Sequence, residues 1–247
     1  MIILTPAVFG WEHLTYTSIA LMLIVIGAVL CRLFLKEERS RSIAVRITGA
    51  ILLALILWNR ICIMNDAIDA GGTALSIIPN TFCGLASLTT ALALLVVKKD
   101  SNLLHFILYL GLLGGFLTLI YPDFVSQDES FFYPNTISGL LHHTVLFWAG
   151  ILCIVTGYIT PSMEKYRYYP LGLMVFLVIG LFEIDGLGFA GAMYIHSPLI
   201  EGTPLTWYLV GALALLLHFI VLFLWETIVN RRKAKDIFRL LIGKKSD

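Results

Sequence analysis

Residues 77–87 read I-I-P-N-T-F-C-G-L-A-S and open an apolar run that carries one cysteine, Cys83, with Asn80 three residues before it and Ser87 four after. At helical spacing these three side chains share a face. Further on, His142 and His143 stand together in L-L-H-H-T-V-L-F-W-A-G. A thiol and an imidazole supply nucleophilic chemistry: sulfur attacks an acyl carbonyl, while histidine takes the proton and returns it to the leaving group. Adjacent helical residues point about 100° apart, so one histidine can face Cys83 while the other packs or holds a third group. His143 is the favoured partner of Cys83. Asn80, Ser87, His142, Arg60, Glu183 and Asp185 are candidates to line the substrate pocket. Glu183 or Asp185 would either orient the imidazole or pair structurally with Arg60.

Each residue has a plainer reading. A lone cysteine in an apolar helix is usually a small hydrophobic residue. A histidine inside an apolar span is a stronger signal, because polar groups at membrane depth are costly. Adjacent histidines cannot grip one ion from one helix face, and neither H-x-x-x-H nor C-x-x-C spacing occurs. No metal, cofactor or nucleic-acid partner is expected.

The elements that must hold these groups are membrane helices. Hydrophobic residues make up 59% of the chain and charged residues 13%, against roughly 45–50% and about 25% in soluble domains. Seven apolar runs are legible, near residues 14–35, 43–64, 74–97, 103–121, 137–159, 169–190 and 205–229. Each is close to the ~20 residues that cross a bilayer. The expected organisation is an all-α, seven-helix membrane domain over residues 1–230 and a basic tail over 231–247. No basic leader precedes the first apolar run, so no cleavable signal peptide is expected. In the third run, Pro79 is expected in the first helical turn, where its missing N–H costs little.

Charge alternates between connections. Lys36, Arg39, Arg41, Lys98, Lys99, Lys165, Arg167 and the basic tail fall on one side with Arg32 and Arg46, giving 16 basic residues; the other side has Arg60 alone. The positive-inside rule then puts the N-terminus outside and the C-terminus in the cytoplasm. On that topology Cys83 lies roughly 13 Å and His143 roughly 9 Å below the outer surface at 1.5 Å per residue. Asn59 and Arg60 close the second span at that level, and Glu183 and Asp185 the sixth. His218 would form a deeper floor, and Glu226 would reach out to water near the inner end.

Three lesser features complete the pattern. Gly111, Gly114 and Gly115 in the fourth run permit close helix approach, within the chain or across a dimer seam. The acidic, aromatic stretch 122–134, including Asp128, Glu129 and Phe131, is either solvated or a lid over the outer face. The tail mixes Arg239, Lys244 and Lys245 with Ile237, Phe238, Leu240, Leu241 and Ile242, as an interfacial helix on an anionic leaflet would.

Together these residues resemble a family. Pro79 and Cys83 give Pro-x-x-x-Cys; residues 105–123 form an aromatic, Gly-rich span ending in Pro122-Asp123; His143 comes early in the next span; and Gly202, Pro204, Trp207 and Tyr208 open the last. This order is similar to that of the YwaF-type bacterial integral membrane proteins. These in turn resemble the eukaryotic transmembrane acyltransferases that move polyunsaturated acyl chains onto ether lysophospholipids. The likeness covers about residues 75–224. It implies a multi-pass protein of the bacterial plasma membrane acting on a membrane phospholipid or other acyl lipid. In the eukaryotic branch the cysteine accepts the acyl group and the histidine is its base, which by position are Cys83 and His143 here. The chain departs from the bacterial pattern at Asn80-Thr81-Phe82, where a histidine is usual, and at Met193-Tyr194, where Asn-Tyr is usual.

The function expected is acyl transfer or acyl hydrolysis at an outward-opening cavity. The alternative is a non-catalytic membrane protein that binds a lipid or small molecule in support of envelope machinery. A transporter ranks last, because His218 is the one midplane ionisable residue in the sequence.

Overall fold

The computed structural model describes residues 6–128 and 130–241, and these are all-α. Glu129, Ile242, Lys244 and Lys245, named above, lie outside the described residues. In chain order the α-helices are α1 (Trp11–Phe34), α2 (Glu38–Asp69), α3 (Phe82–Val96), α4 (Asn102–Ile120), α5 (Pro134–Val155), α6 (Tyr168–Leu187), α7 (Trp207–Ile228) and α8 (Ala234–Leu241). Among the described residues, six of these segments are long and apolar enough to cross a membrane. The chain is therefore built as a multi-pass membrane protein. Its burial pattern is inverted in the way lipid permits. Val25, Met174, Val178 and Phe182 are more than 60% exposed, whereas Ser87, Thr90, His105 and Glu226 are fully buried.

The third expected span is the exception. Instead of one helix over 74–97, a 3₁₀ turn at Ala74–Ile77 is followed by an extended break, and α3 starts only at Phe82. Proline explains the break. Its ring clashes with helical backbone at the preceding residue, and Ile78 is extended (φ −72°, ψ 127°). Pro79 therefore precedes the helix rather than sitting in its first turn. The 15 residues of α3 span about 22 Å, against about 48 Å for the 32 residues of α2.

The chain falls into two compact units. The first comprises the chain up to Pro79, Cys83–Val97 and Gly111–Tyr158. Here α2 packs along α5, and α1 lies against α5. Leu52, Ala91 and Leu146, from α2, α3 and α5, meet in its core. His13 fixes α1, with Nε2 2.9 Å from the Leu119 carbonyl and Nδ1 accepting from the Phe9 amide at 3.0 Å. In the stretch after α4, Val125 and Phe131 are buried with Leu140 of α5, while Asp123, Ser126, Gln127 and Phe132 are exposed.

The second unit comprises Asn80–Phe82, Lys98–Leu110 and the chain from Ile159. Asp100 joins its parts, accepting from the Thr160 amide at 3.1 Å and lying 2.8 Å from His105 Nε2. Burial would raise the Asp100 pKa. The Thr160 and His105 hydrogen bonds outweigh it and hold the carboxyl below the usual carboxylate range.

Glu226 does not reach out to water. It is fully buried. It accepts from the Met163 amide (3.1 Å) and Asn230 Nδ2 (2.7 Å), with Arg232 Nη1 3.2 Å away. The reason is the fold of the tail, which turns back so that α8 buries Ile237 and Leu240 and packs beside the Met163–Lys165 turn. The apolar face of α8 is thus largely occupied by protein, with Phe238 left exposed. Glu226→Ala is expected to destabilise the chain by about 3–5 kcal/mol, because a buried charge network loses its acceptor. Thermal unfolding in detergent measures the loss, and protease cleavage between α7 and α8 should rise with it.

Candidate functional site

The break before α3 leaves backbone carbonyls without helical partners, and Arg60 of α2 takes them up. Its Nε donates to the Ile77 carbonyl at 3.0 Å and its Nη2 to the Ile78 carbonyl at 2.8 Å, with Ser76 a further acceptor. Arg60 is 7% exposed. A neighbouring network ties α2 to the start of α5. Asn59 Nδ2 donates to Asn135 Oδ1 and Ser138 Oγ, each at 3.1 Å, and Asp66 accepts from Tyr133 Oη and Asn135 Nδ2. The hydrogen bond to Asp66 and that carboxylate's charge raise the pKa of the Tyr133 phenol.

Because α3 begins at Phe82, Cys83 lies in its first turn rather than deep along a longer helix. There the unpaired N–H groups favour negative charge. Its sulfur is 3.8 Å from Thr118 Oγ1 of α4 and packs against Gly114, where an added Cβ would sit 3.2 Å from it. The next residue, Gly115, faces α5 instead. A Cβ there would lie 2.9 Å from both the His143 carbonyl oxygen and the Phe147 nitrogen. These glycines serve packing within the chain. They also bring Cys83 and His143 to adjacent sides of one turn of α4.

Gly115→Ala would meet α5 backbone atoms that cannot swing aside. It is expected to cost about 1–3 kcal/mol and to shift His143. Gly211→Ala on α7, where nothing lies within 4 Å, should be neutral or stabilise by up to about 1 kcal/mol. Paired melting curves test both.

The two imidazoles are buried, with ring centroids 4.0 Å apart. Their partners differ. His142 Nδ1 is 3.1 Å from Ser87 Oγ. His143 Nδ1 is 2.7 Å from the Gly139 carbonyl one turn earlier. A carbonyl only accepts, so the proton of a neutral His143 sits on Nδ1 and Nε2 is left as the acceptor. That Nε2 is buried with no hydrogen-bond partner. Phe124 covers the ring, nearly parallel to it at 6.1 Å between centroids, and also packs on Gly139.

The structure thus joins Ser87 to His142 and His142 to His143, and sets Cys83 beside the same α4 turn without a hydrogen bond to either ring. The remaining candidates fall in the second unit. Asn80 precedes α3 and so does not share the helical face of Cys83 and Ser87; its carbonyl accepts from the Met193 amide at 2.8 Å. Glu183 is buried in α6, while Asp185 is exposed. Met193 and Tyr194 hold left-handed backbone (φ 50° and 56°), a conformation that asparagine tolerates better than methionine.

The model of the TMEM164 family matches residues 8–225. The chain belongs to the TMEM164 family. No curated protein and no solved structure matches it. In this TMEM164 family member, Thr118, Gly139 and Phe124 contribute to the site without having been singled out from the sequence. Thr118 and Phe124 carried no signal beyond position. Gly139 lies one helical turn before His143, which marks its carbonyl as a local acceptor.

Proposed function

We propose that this family member transfers or hydrolyses a lipid acyl chain through Cys83, with His143 as base, at a site opening to the outer side of the membrane. The reading includes seven crossings, with the Ala74–Ile77 turn and α3 forming the third, an outside N-terminus, and residence in the bacterial plasma membrane. Support for the topology is the distribution of 16 basic residues against one. The observation that carries the chemistry is His143, whose Nδ1–H is committed to Gly139 while its buried Nε2 remains an open acceptor. The likeness to YwaF-type proteins and to ether-phospholipid acyltransferases points the same way.

The steps balance without a cofactor. Nε2 of His143 removes the Cys83 proton as sulfur attacks the ester carbonyl. The ester C–O bond breaks, His143 returns the proton to the departing lysolipid hydroxyl, and a Cys83 thioester remains. A second lipid hydroxyl or water then attacks that thioester, giving transfer or hydrolysis. Arg60 organises the backbone that enters α3 rather than touching substrate.

Incubating the purified full chain with a phospholipid bearing an isotope-labelled acyl chain should produce a hydroxylamine-labile adduct, mapped by mass spectrometry to Cys83. Cys83→Ala should abolish it. No adduct on the wild-type protein, together with an unchanged lipid profile in Cys83→Ala cells, would overturn the reading.

A second reading, lipid binding without chemistry, is supported by a mainly apolar groove of about 200 Å³ lined by Ala20, Leu23, Ile24, Gly27, Val145 and Trp148, with Thr144 its one polar residue. It differs in outcome: Cys83→Ala would keep function, and filling the groove with Gly27→Leu would lose it.

A further inference from the structure

We propose that Asp100, His105, Tyr109 and His218 form a hydrated proton relay from the surface of the second unit to its buried centre. The relay is independent of Cys83 and His143, which belong to the first unit. Its innermost member is His218 of α7, 1% exposed. Three tyrosine rings cage it: Tyr169 at 4.3 Å, Tyr109 at 4.5 Å and Tyr166 stacked at 5.3 Å. A neutral imidazole always presents one donor and one acceptor, yet both His218 nitrogens are buried with no hydrogen-bond partner. The same is true of Tyr109 Oη and His105 Nδ1.

Those four atoms are not scattered. His105 and Tyr109 lie one turn apart on α4, with ring centroids 6.3 Å apart, and Tyr109 is in ring contact with His218. Orphan polar atoms that cluster in a buried region mark a place for ordered water, which typically bridges about three polar groups. The outer end is defined by chemistry already made. Asp100 is 44% exposed, and its Oδ1 is 2.8 Å from His105 Nε2. An ionised Asp100 only accepts, so His105 donates from Nε2 and its orphan Nδ1 is an acceptor pointing inward along the series.

The charged and titratable groups around this path are few. Lys165 lies at its mouth, bonded to Asn102 Oδ1 at 2.7 Å. Tyr166, just after the Met163–Lys165 turn, and Tyr169, in the first turn of α6, face His218. Glu226, two turns further along α7, is held by Met163, Asn230 and Arg232.

The inward relay starts from the other tautomer of His105, with its proton on Nδ1 and Nε2 free. A proton taken from bulk water by Asp100 passes to Nε2, the Nδ1–H goes through water to Tyr109 Oη, and the phenol's own proton moves on to the acceptor nitrogen of His218. His105 is left with its proton on Nε2, bonded to Asp100 as in the structure, and the tyrosine is unchanged. One proton has entered and resides transiently on His218, and the same hops in reverse return it to bulk water.

The test uses the full chain, ¹⁵N-labelled at histidine, and measures how fast each ring N–H exchanges with water by solvent saturation transfer. His218 should exchange rapidly despite its burial. Tyr109→Phe keeps the ring in the cage but removes the hydroxyl, and should slow His218 exchange by roughly tenfold or more, as should Asp100→Asn at the mouth. His13, with both nitrogens bonded in the first unit, should not change in either variant. Slow exchange of His218 in the wild-type chain would overturn the relay. So would exchange that stays within about twofold of wild type in folded Asp100→Asn, whatever the stability of Tyr109→Phe.

Discussion

His143→Gln is expected to form the Cys83 acyl adduct about 10²- to 10⁴-fold more slowly than wild type, the usual contribution of a positioned general base. Glutamine keeps a polar side chain at this position but removes the basic nitrogen. The reason to choose His143 over its neighbour lies in the hydrogen bonds. His143 has its Nδ1 committed to the Gly139 carbonyl and Nε2 open, whereas His142 is engaged with Ser87. His142→Gln retains a partner for Ser87 and should slow adduct formation by no more than about tenfold. Alkylation of Cys83 by a thiol reagent gives a substrate-independent readout of the same difference. If the large effect belonged to His142 and not to His143, the base would be misassigned, and the route would run through Ser87.

Arg60→Met is expected to be the most destabilising single change in the first unit. Hydrogen bonds to charged groups are each worth about 1.5–3 kcal/mol, and part of the loss is recovered as the break before α3 relaxes, so a net cost of about 3–5 kcal/mol follows. At least three backbone carbonyls lose their donor. The consequence is local as well as global: the stretch between the Ala74–Ile77 turn and Phe82 should become the first site of protease cleavage. Arg60→Lys should recover less than half of the loss, because a compact ammonium cannot reproduce the fork that meets successive carbonyls. A variant that melts like wild type would show that the broken start of α3 needs no side-chain donor.

Most of the architecture was legible because it is written one residue at a time. Apolar runs give helices wherever about 20 such residues occur together, and the charge of each connection can be read without knowing any contact. The exception was the third run, where hydropathy continues through Pro79 but the backbone cannot remain helical before it. Glu226 misled for a different reason. Its position near a helix end suggests escape to water, but it is covered there and finds partners in the Met163 amide, Asn230 and, from the tail, Arg232.

What the chain determined by itself is therefore the helical class, the membrane habit and the small set of residues able to do chemistry. Only the tertiary structure decided which of these meet. The rotation of α5 gives Ser87 to His142, and two adjacent glycines of α4 set Cys83 and His143 on neighbouring sides of one turn. The physical reason is that hydropathy along a membrane helix records how deep a residue lies but scarcely which way it points. Lipid and an apolar protein interior favour the same side chains, so the facing of each helix is settled by close packing and by the hydrogen bonds that buried polar groups must find.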